Sequence, residues 1–320
     1  ITGTINLYSS LPGNYQVTYT PPSGNWQQLG QDINGEAAGD RRGMTRMLSL
    51  NSGGNTVAVG AELNDGNGNN SGHVRVYYFD GSNWVQKGQD IDGEYSGDQS
   101  GSEICLNSDG SIIAIGATGN VGNGSFNGQD GGHVRTYEWN GSNWIQKGQD
   151  IDGESGSLSG YSLSLSSDGS ILAIGAVLRN QVRIYEWVGN SWVQKGNDIN
   201  GESSGDNFGS AVSLSIDGNT VAVGAELNDG NGNNSGHVRV YYFDGSNWVQ
   251  KGQDIDGEYS GDRSGREICL NSNGSIIAIG AYGNDVNGPN TGHVRIFEFN
   301  GIFWEQMGND IDGDTTNDHL

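Results

Sequence analysis

The sequence predicts an all-β fold built from repeated units, and three observations lead to that prediction. Residues 55–98 and 219–262 are the same 44-residue string, copied at an offset of 164 residues. A shorter repeat is marked by a Trp followed by x-Gln-x-Gly-x-Asp-Ile, every 48 to 60 residues. Turn residues are abundant, with 56 Gly in 320 residues. Repeats of this period are typical of stacked small sheets rather than of one globular core. The markers are Trp26, Trp84, Trp144, Trp192, Trp248 and Trp304.

Each repeat reads as four short strands. In the unit from 101 to 151, polar/apolar alternation or continuous apolar runs predict strands at 103–107, 112–117, 133–139 and 144–148. Asp-Gly and Asn-Gly pairs between them supply the positive φ angles that tight hairpin turns need. The second run, IIAIGA, is apolar throughout, as expected for a strand that is buried on both faces.

Four antiparallel strands in about 50 residues are typical of one blade of a β-propeller. The alternative is a β-solenoid, but solenoids have shorter coils and lack these hairpin signals. We count five complete units, and we predict six or seven blades in the intact domain. An extra Trp strand lies at residues 26–33. Either the chain is a segment of a longer protein, or its N-terminal strands complete the ring.

Charge and cysteine content exclude some classes of partner and a disulfide bond. The formal net charge is −23, which repels phosphate, so nucleic acids and anionic membranes are poor partners. The sequence has no transmembrane run, so we expect no insertion into a membrane. The two cysteines, Cys105 and Cys269, occupy one position in two copies, too far apart in a propeller for a disulfide. We expect both to be small buried residues on strands.

The fourth unit resembles the FG-GAP repeat of integrin-α-like β-propellers. The resemblance rests on Phe208-Gly209, then Val221–Ala225 (VAVGA), then 236–241 (GHVRVY), and the other units follow the pattern across residues 26–311. Only this unit has Phe-Gly, and Pro never follows Gly-Ala. The family's Asp-rich calcium loop between the first two strands is replaced by a four-residue turn, so calcium binding does not carry over at that place.

The consensus W-x-Q-x-G-x-D-I-D-G-E also resembles repeats in large secreted surface proteins of Bacteroidetes. Residues 4–7 and 13–20 look like the last two strands of an Ig-like module of the kind found upstream in those proteins. Residues 1–25 would then be the tail of that module and a linker, or strands that complete the ring, and residues 26–320 the propeller repeats. The resemblance implies an extracellular protein, either secreted or held at the cell surface.

Two acidic patterns predict calcium sites, because Ca²⁺ prefers carboxylate and carbonyl oxygens. The first is the Asp-Ile-Asp-Gly-Glu turn that ends a unit. The second is a long Gly/Asn loop with Asp-x-Asn-x-Asn. For each, the alternative is a structural turn or loop held by its own side chains. The candidate ligands are Asp90, Asp92, Glu94, Asp254, Asp256 and Glu258 in the turns, and Asp65, Asn67, Asn69, Asp229, Asn231 and Asn233 in the loops.

A Gly-His-Val-Arg motif begins the third strand of four units, and the other unit has Gln181 in place of His. This replacement favours a hydrogen-bonding, structural role for the histidines rather than a shared metal site. We expect nearby carboxylates to pair with the arginines two residues later. The histidines are His73, His133, His237 and His293, and the arginines are Arg75, Arg135, Arg183, Arg239 and Arg295.

The marker tryptophans are expected to pack between blades. If aromatic residues instead form a glycan-binding platform, Tyr137, Trp139, Tyr185 and Trp187 are the candidates. No catalytic triad, zinc spacing or phosphate loop stands out, so we expect no enzymatic activity. The sequence thus favours an adhesin-type propeller that binds proteins or surface glycans. The alternatives are a lectin and a glycan-degrading enzyme, and Ca²⁺ is the one cofactor indicated.

Overall fold

The computed structural model describes residues 27–37, 39–40, 47–121 and 131–319, together with the backbone of two short N-terminal strands. Those strands, Ile5–Asn6 (β1) and Gln16–Val17 (β2), pair antiparallel. Apart from them, the interpretation of residues 1–25 as a module tail, a linker or ring-completing strands lies outside the described residues. So does the marker Trp26.

The repeats form five antiparallel sheets, one for each complete unit, which we call blades 1 to 5. Blade 1 comprises β3 (Leu48–Leu50), β4 (Thr56–Ala61), β5 (His73–Phe79), β6 (Trp84–Gln86) and β7 (Ile91–Asp92). Blade 2 comprises β8 (Ser100–Leu106), β9 (Ile112–Ala117), β10 (His133–Trp139), β11 (Trp144–Gln146) and β12 (Ile151–Asp152). Blade 3 comprises β13 (Ser159–Leu165), β14 (Ile171–Ala176), a short 3-10 turn (Val177–Arg179), β15 (Gln181–Val188), β16 (Ser191–Gln194) and β17 (Ile199–Asn200).

Blades 4 and 5 repeat this order. Blade 4 comprises β18 (Phe208–Leu214), β19 (Thr220–Ala225), β20 (His237–Phe243), β21 (Trp248–Gln250) and β22 (Ile255–Asp256). Blade 5 comprises β23 (Glu267–Leu270), β24 (Ile276–Ala281), β25 (His293–Phe299), β26 (Trp304–Gln306) and β27 (Ile311–Asp312). In every blade four strands pair in chain order, and the short fifth strand pairs with the beginning of the third. The predicted four-stranded repeat is therefore confirmed.

The hydrophobic core lies between blades. One cluster joins Val74 and Val76 of blade 1 to Ile104, Leu106 and Ile113 of blade 2, and the other clusters repeat this pattern. The second strand of blade 2 is buried along its whole length, as its apolar run predicts. Because both faces of blades 2, 3 and 4 pack on neighbouring blades, the burial of each of these blades depends on the next.

The turns between the first two strands meet at the centre of the arrangement. A chain of backbone hydrogen bonds links them from blade to blade: Ser52 N–H to Ser108 O, Ser108 N–H to Ser167 O, Ser167 N–H to Ile216 O, and Ile216 N–H to Ser272 O, at 2.8–3.1 Å. These turns surround a cavity of about 300 Å³. Five sheets arranged around this centre are a β-propeller, as the sequence predicts.

The marker tryptophans of blades 2 to 5 each fasten their blade to the one before it. Trp144 is 2% exposed, and its indole N–H donates to the backbone oxygen of Lys87 in blade 1 at 2.7 Å. Trp192, Trp248 and Trp304 repeat the bond in blades 3, 4 and 5. The expectation that these residues pack between blades is confirmed.

Among the residues that the structure describes, no further blade packs on the outer face of blade 5. Ile311 is 52% exposed there, whereas its counterpart Ile151 in blade 2 is 5% exposed. The two cysteines differ for the same reason. Cys105 is partly buried against blade 3, but Cys269 is exposed, so the expectation that both are buried is wrong for Cys269. Within the described part of the chain, no helix is long and apolar enough to cross a membrane.

Candidate functional site at the blade interfaces

A polar cluster recurs at each interface between consecutive units. Each cluster takes a Glu from the turn that ends one unit, and a His or Gln, an Arg and an Asp from the next unit. We number the interface clusters 1 to 5 after the blade that provides the Arg. They are Glu36/His73/Arg75/Asp90, Glu94/His133/Arg135/Asp150, Glu154/Gln181/Arg183/Asp198, Glu202/His237/Arg239/Asp254 and Glu258/His293/Arg295/Asp310.

Strand geometry explains why these side chains meet. His and Arg stand two residues apart at the start of the third strand, so they point to the same face of the sheet. The short fifth strand pairs with that same stretch, with His73 opposite Asp92, and this brings the preceding Asp90 close to the His. Gln86 then holds Asp90 by a hydrogen bond of 2.6 Å from its amide to Oδ1. The motif's spacing therefore assembles the cluster.

In clusters 1 and 4 the arginine is the positively charged group that bridges the two carboxylates. Arg75 contacts Asp90 through Nε at 3.1 Å and Nη2 at 2.9 Å, and the same Nη2 also pairs with Glu36. Arg239 holds Asp254 and Glu202 in the same way. Burial alone would raise the pKa of Asp90, but hydrogen bonds from Arg75 lower it overall. The expected pairing of the arginines with carboxylates is confirmed.

Clusters 2 and 5 use the arginine differently. Arg135 donates from Nη2 to the backbone oxygen of Asp92 at 2.9 Å, and its Nη1 lies 3.6 Å from Glu94. Arg295 repeats this, donating to the backbone oxygen of Asp256 at 2.6 Å. In these two clusters the guanidinium is turned toward the preceding turn rather than toward the Asp of its own unit.

The histidines of clusters 2 and 4 are neutral near pH 7. His133 and His237 are buried, and this burial lowers the pKa of each, with the neighbouring arginine lowering it further. In cluster 3 the amide of Gln181 donates to Asp198 at 2.7 Å. Gln thus fills the place of His as a neutral side chain beside the carboxylate, which supports the structural role inferred from the sequence.

The structure does not bring the members of one Asp-Ile-Asp-Gly-Glu turn together as a shared ligand set. Asp90 belongs to cluster 1, whereas Glu94 of the same turn belongs to cluster 2. Asp254 and Glu258 are divided in the same way between clusters 4 and 5. Asp92 and Asp256 lie on the short fifth strands, opposite His73 and His237. The sequence pattern grouped residues within a unit, while the fold groups them across units.

The Asp-x-Asn-x-Asn loops have structural roles. Asp65 accepts the Asn70 N–H at Oδ1, at 2.8 Å, which closes the loop on itself. The Asn67 amide donates to the backbone oxygen of Gly93 at 2.8 Å, and the Asn69 carbonyl accepts the Gly97 N–H. Asp229, Asn231 and Asn233 repeat these contacts in blade 4. The loop therefore docks on the turn that ends the same unit, a contact that the sequence did not reveal.

The four aromatic residues predicted for glycan binding lie in packing positions. Tyr137 is buried in the core between blades 1 and 2, and Trp139 packs beside it at 5.4 Å from Trp144. Tyr185 and Trp187 are half-buried against the next core. The structure therefore does not present these rings as an open platform.

The comparisons with known proteins support the fold. The FG-GAP repeat model matches residues 200–241. No curated protein matches the chain in sequence. Among solved structures, hydrazine synthase from Kuenenia stuttgartiensis has a TM-score of 0.55 at 13% identity, covering 90% of this chain and 73% of that one. The Swd1 β-propeller domain from Myceliophteria thermophila has a TM-score of 0.50 at 11% identity, covering 83% and 71%. The chain is thus a β-propeller with an FG-GAP repeat.

A further similarity corrects one expectation. A proposed 6-phosphogluconolactonase from Bacteroides uniformis has a TM-score of 0.51 at 13% identity, covering 84% of this chain and 86% of that one. The expectation of no enzymatic activity is therefore wrong as a deduction from this architecture, because similar propellers include enzymes. At this identity the similarity shows the fold alone and assigns no reaction.

Proposed function

We propose that this propeller is a binding domain of an extracellular surface or secreted protein, and that partners bind at one end of it. The end in question carries the loops between the second and third strands and the turns that join consecutive units; we call it the loop end. One observation carries the proposal: the loop end is rigidly built and repeated, and exposed tyrosines project from it.

Hydrogen bonds fix each tyrosine-bearing turn from two sides. The backbone N–H groups of Glu94 and Tyr95 donate to Asp98 Oδ2 at 3.0 and 2.8 Å, and the Asn67 amide clamps Gly93. Tyr95 itself is 68% exposed. Rigid backbone beneath an exposed aromatic ring lowers the entropy lost on binding, and tyrosine is enriched in protein interfaces.

The copied block repeats this arrangement in blade 4. Tyr259 is 64% exposed, and Asp262 accepts from Tyr259 N–H and Glu258 N–H in the same way. Two equivalent attachment points on one rigid body can bind a repetitive surface with greater strength than either alone. This supports adhesion to proteins or surface glycans that present repeated binding groups.

Charge sets the kind of partner. At a net charge of −23, association is favoured with basic or neutral partners and disfavoured with phosphorylated ones. We therefore do not carry over an activity on a phosphorylated lactone. The resemblance to repeats of large secreted Bacteroidetes proteins supports an extracellular location as part of a larger parent chain.

Calcium binding at the Asp-rich turns and loops remains a prediction. An ion that binds only the folded chain raises the melting midpoint as its concentration rises. A thermal melt with EDTA and then with millimolar Ca²⁺ tests this, and an unchanged midpoint would leave those residues with their structural roles alone.

The proposed binding surface is tested with arrays of glycans and of extracellular matrix proteins, probed with the labelled chain. Binding is expected to be lost in the double variant Tyr95→Ser/Tyr259→Ser. The matched control is Tyr78→Ser/Tyr242→Ser, which changes two partly exposed tyrosines of the same copied block on the third strands. Binding to neither array, or equal loss in both variants, would contradict the proposal. Mass spectrometry of bound glycans shows whether any is cleaved, which would assign an enzyme instead.

A further inference from the structure

We propose that interface clusters 2 and 5 bind a divalent first-row transition-metal ion, for which Zn²⁺ is the probe, and that clusters 1, 3 and 4 do not. The ligands would be Glu94, His133 and Asp150 in cluster 2, and Glu258, His293 and Asp310 in cluster 5. This inference is independent of the proposed binding at the loop end.

The spacing of the ligand atoms suits an ion. In each of these clusters a carboxylate oxygen of Glu, a ring nitrogen of His and a carboxylate oxygen of Asp all lie within 4.8 Å of one another. His293 Nδ1 is 3.7 Å from Asp310 Oδ2, too far for a hydrogen bond. Two ligand atoms that each bind one metal at about 2.0–2.2 Å are separated from each other by a distance close to this 3.7 Å. Small adjustments of the side chains would therefore suffice to bind an ion.

The histidines leave polar atoms without a partner. His293 is fully buried, and neither ring nitrogen has a hydrogen-bond partner among the described residues. His133 is 2% exposed, and its Nε2 likewise has no partner in the described part of the chain, as is also true of His237 Nε2 in cluster 4. A buried polar atom without a partner carries a free-energy cost, because the hydration that it loses on folding is not replaced. A metal ion on the nitrogen that faces the carboxylates would remove that cost in cluster 5.

The arginine leaves room for a cation in these two clusters. In clusters 1 and 4 the guanidinium already bridges the two carboxylates. In clusters 2 and 5 it donates instead to the backbone of the preceding turn; its Nη1 lies 3.6–3.7 Å from the Glu, and it does not bridge to the Asp. The Asp310 carboxylate keeps a bond of 2.6 Å from the Gln306 amide to Oδ1, and Oδ2 faces His293. A ligand carboxylate held from its other oxygen is typical of metal sites.

The donor set selects the class of metal. One imidazole nitrogen and two carboxylate oxygens suit Zn²⁺, which accepts three protein ligands and keeps a fourth position open. Ca²⁺ prefers six to eight oxygen ligands and does not match a site with a nitrogen and two carboxylates.

Isothermal titration of the chain with ZnCl₂ in millimolar Ca²⁺ tests the proposal. The Cys269→Ser background removes an exposed thiol that could bind zinc. Two sites per chain are expected, one after His293→Gln, and none after His133→Gln/His293→Gln. Gln occupies the corresponding position 181 in cluster 3, so these variants are expected to fold, which a zinc-free melt verifies.

The matched control is His73→Gln/His237→Gln, which changes the same motif position in clusters 1 and 4. Two zinc sites are expected to remain in that variant. Zinc binding that persists in His133→Gln/His293→Gln would overturn the proposal, as would an equal loss in the control variant. So would the absence of zinc binding by the folded chain.

Discussion

Neighbouring blades lie so close together that a glycine-to-alanine substitution at their contact tests how tightly they pack. At Gly116 in blade 2, a Cβ would lie well inside van der Waals contact with the carbonyl oxygen of Gly160 in blade 3. The copied position in blade 5 is Gly280, where the nearest atom to a Cβ is Glu267 O at 3.6 Å. Neither glycine has a positive φ, so alanine fits both backbones. The two glycine positions therefore differ only in whether another blade packs against them.

The expected magnitudes follow from this difference. Overpacking in a close-packed core costs about 1–3 kcal/mol, and here the upper end applies because both contacting groups are backbone and no rotamer change relieves them. At Gly280, alanine restricts the unfolded chain and is expected to stabilise by about 0.4–1 kcal/mol. Because the restriction of the unfolded chain applies to both substitutions, Gly116→Ala and Gly280→Ala should differ by the overpacking cost alone, about 2–3 kcal/mol in the free energy of unfolding.

Equilibrium unfolding in urea, followed by tryptophan fluorescence, measures both variants against the parent chain. The buried marker Trp144 lies at the interface between blades 1 and 2 and Trp192 at that between blades 2 and 3, so the signal reports on blade 2 directly. Equal destabilisation by both substitutions would refute the reasoning, because it would mean that the last blade is covered like the others. A neutral Gly116→Ala would refute it as well, because the blades would then not be in tight contact.

Three further predictions concern single residues. Cys269 is expected to react readily with a thiol reagent near pH 8 and Cys105 slowly, because burial raises the pKa of the Cys105 thiol to about 11; equal rates would contradict this. Trp144→Phe removes an indole hydrogen bond and leaves a carbonyl unpaired, so it should cost about 1–3 kcal/mol in urea unfolding; an unchanged midpoint would show that the bond is dispensable. Burial raises the pKa of Asp254, but bonds from Arg239 outweigh it and hold the folded pKa below the ordinary 3.8. The stabilisation by the Arg239–Asp254 pair is present above pH 3.8 and is lost as the pH falls through the folded pKa of Asp254. Arg239→Met should therefore be destabilising at neutral pH and progressively less so in acid. A difference in unfolding free energy between variant and parent that stays constant with pH would contradict the linkage.

Much of the fold follows from local sequence. The apolar run at Ile112–Ala117 predicts a buried strand, and the structure buries every residue of it. The Asp80-Gly81 pair predicts a tight turn, and Asp80 indeed accepts the N–H groups of Ser82 and Asn83. These features depend on neighbours a few residues away, so periodicity and turn chemistry are enough to predict them.

The candidate site was harder to predict because its members come from different units. Glu36 and Asp90 are 54 positions apart, yet both contact Arg75. The sequence grouped Asp90 with Glu94, four residues later, since adjacency is the natural signal in a motif. The arginine two residues after each His was the available clue, because a buried charge is paired and so predicts carboxylates nearby. Nothing local reveals that Asn67 clamps the following turn.

The order of the units, copied at an offset of 164 residues, explains why the clusters fall into three kinds. The first and fourth of these turns both carry Asn at the middle position, Asn34 and Asn200, and the clusters that they enter, 1 and 4, are bridged by arginine. The turns with Asp92 and Asp256 lead into clusters 2 and 5, where the arginine bonds to the backbone of that same Asp. Cluster 3 alone contains Gln181. The copying therefore repeats an ordered set of interfaces, and each interface is defined by the pair of units that meet there. A property such as ion binding should accordingly follow the type of interface rather than the number of blades, which is why two zinc sites, and not four, are the expected result.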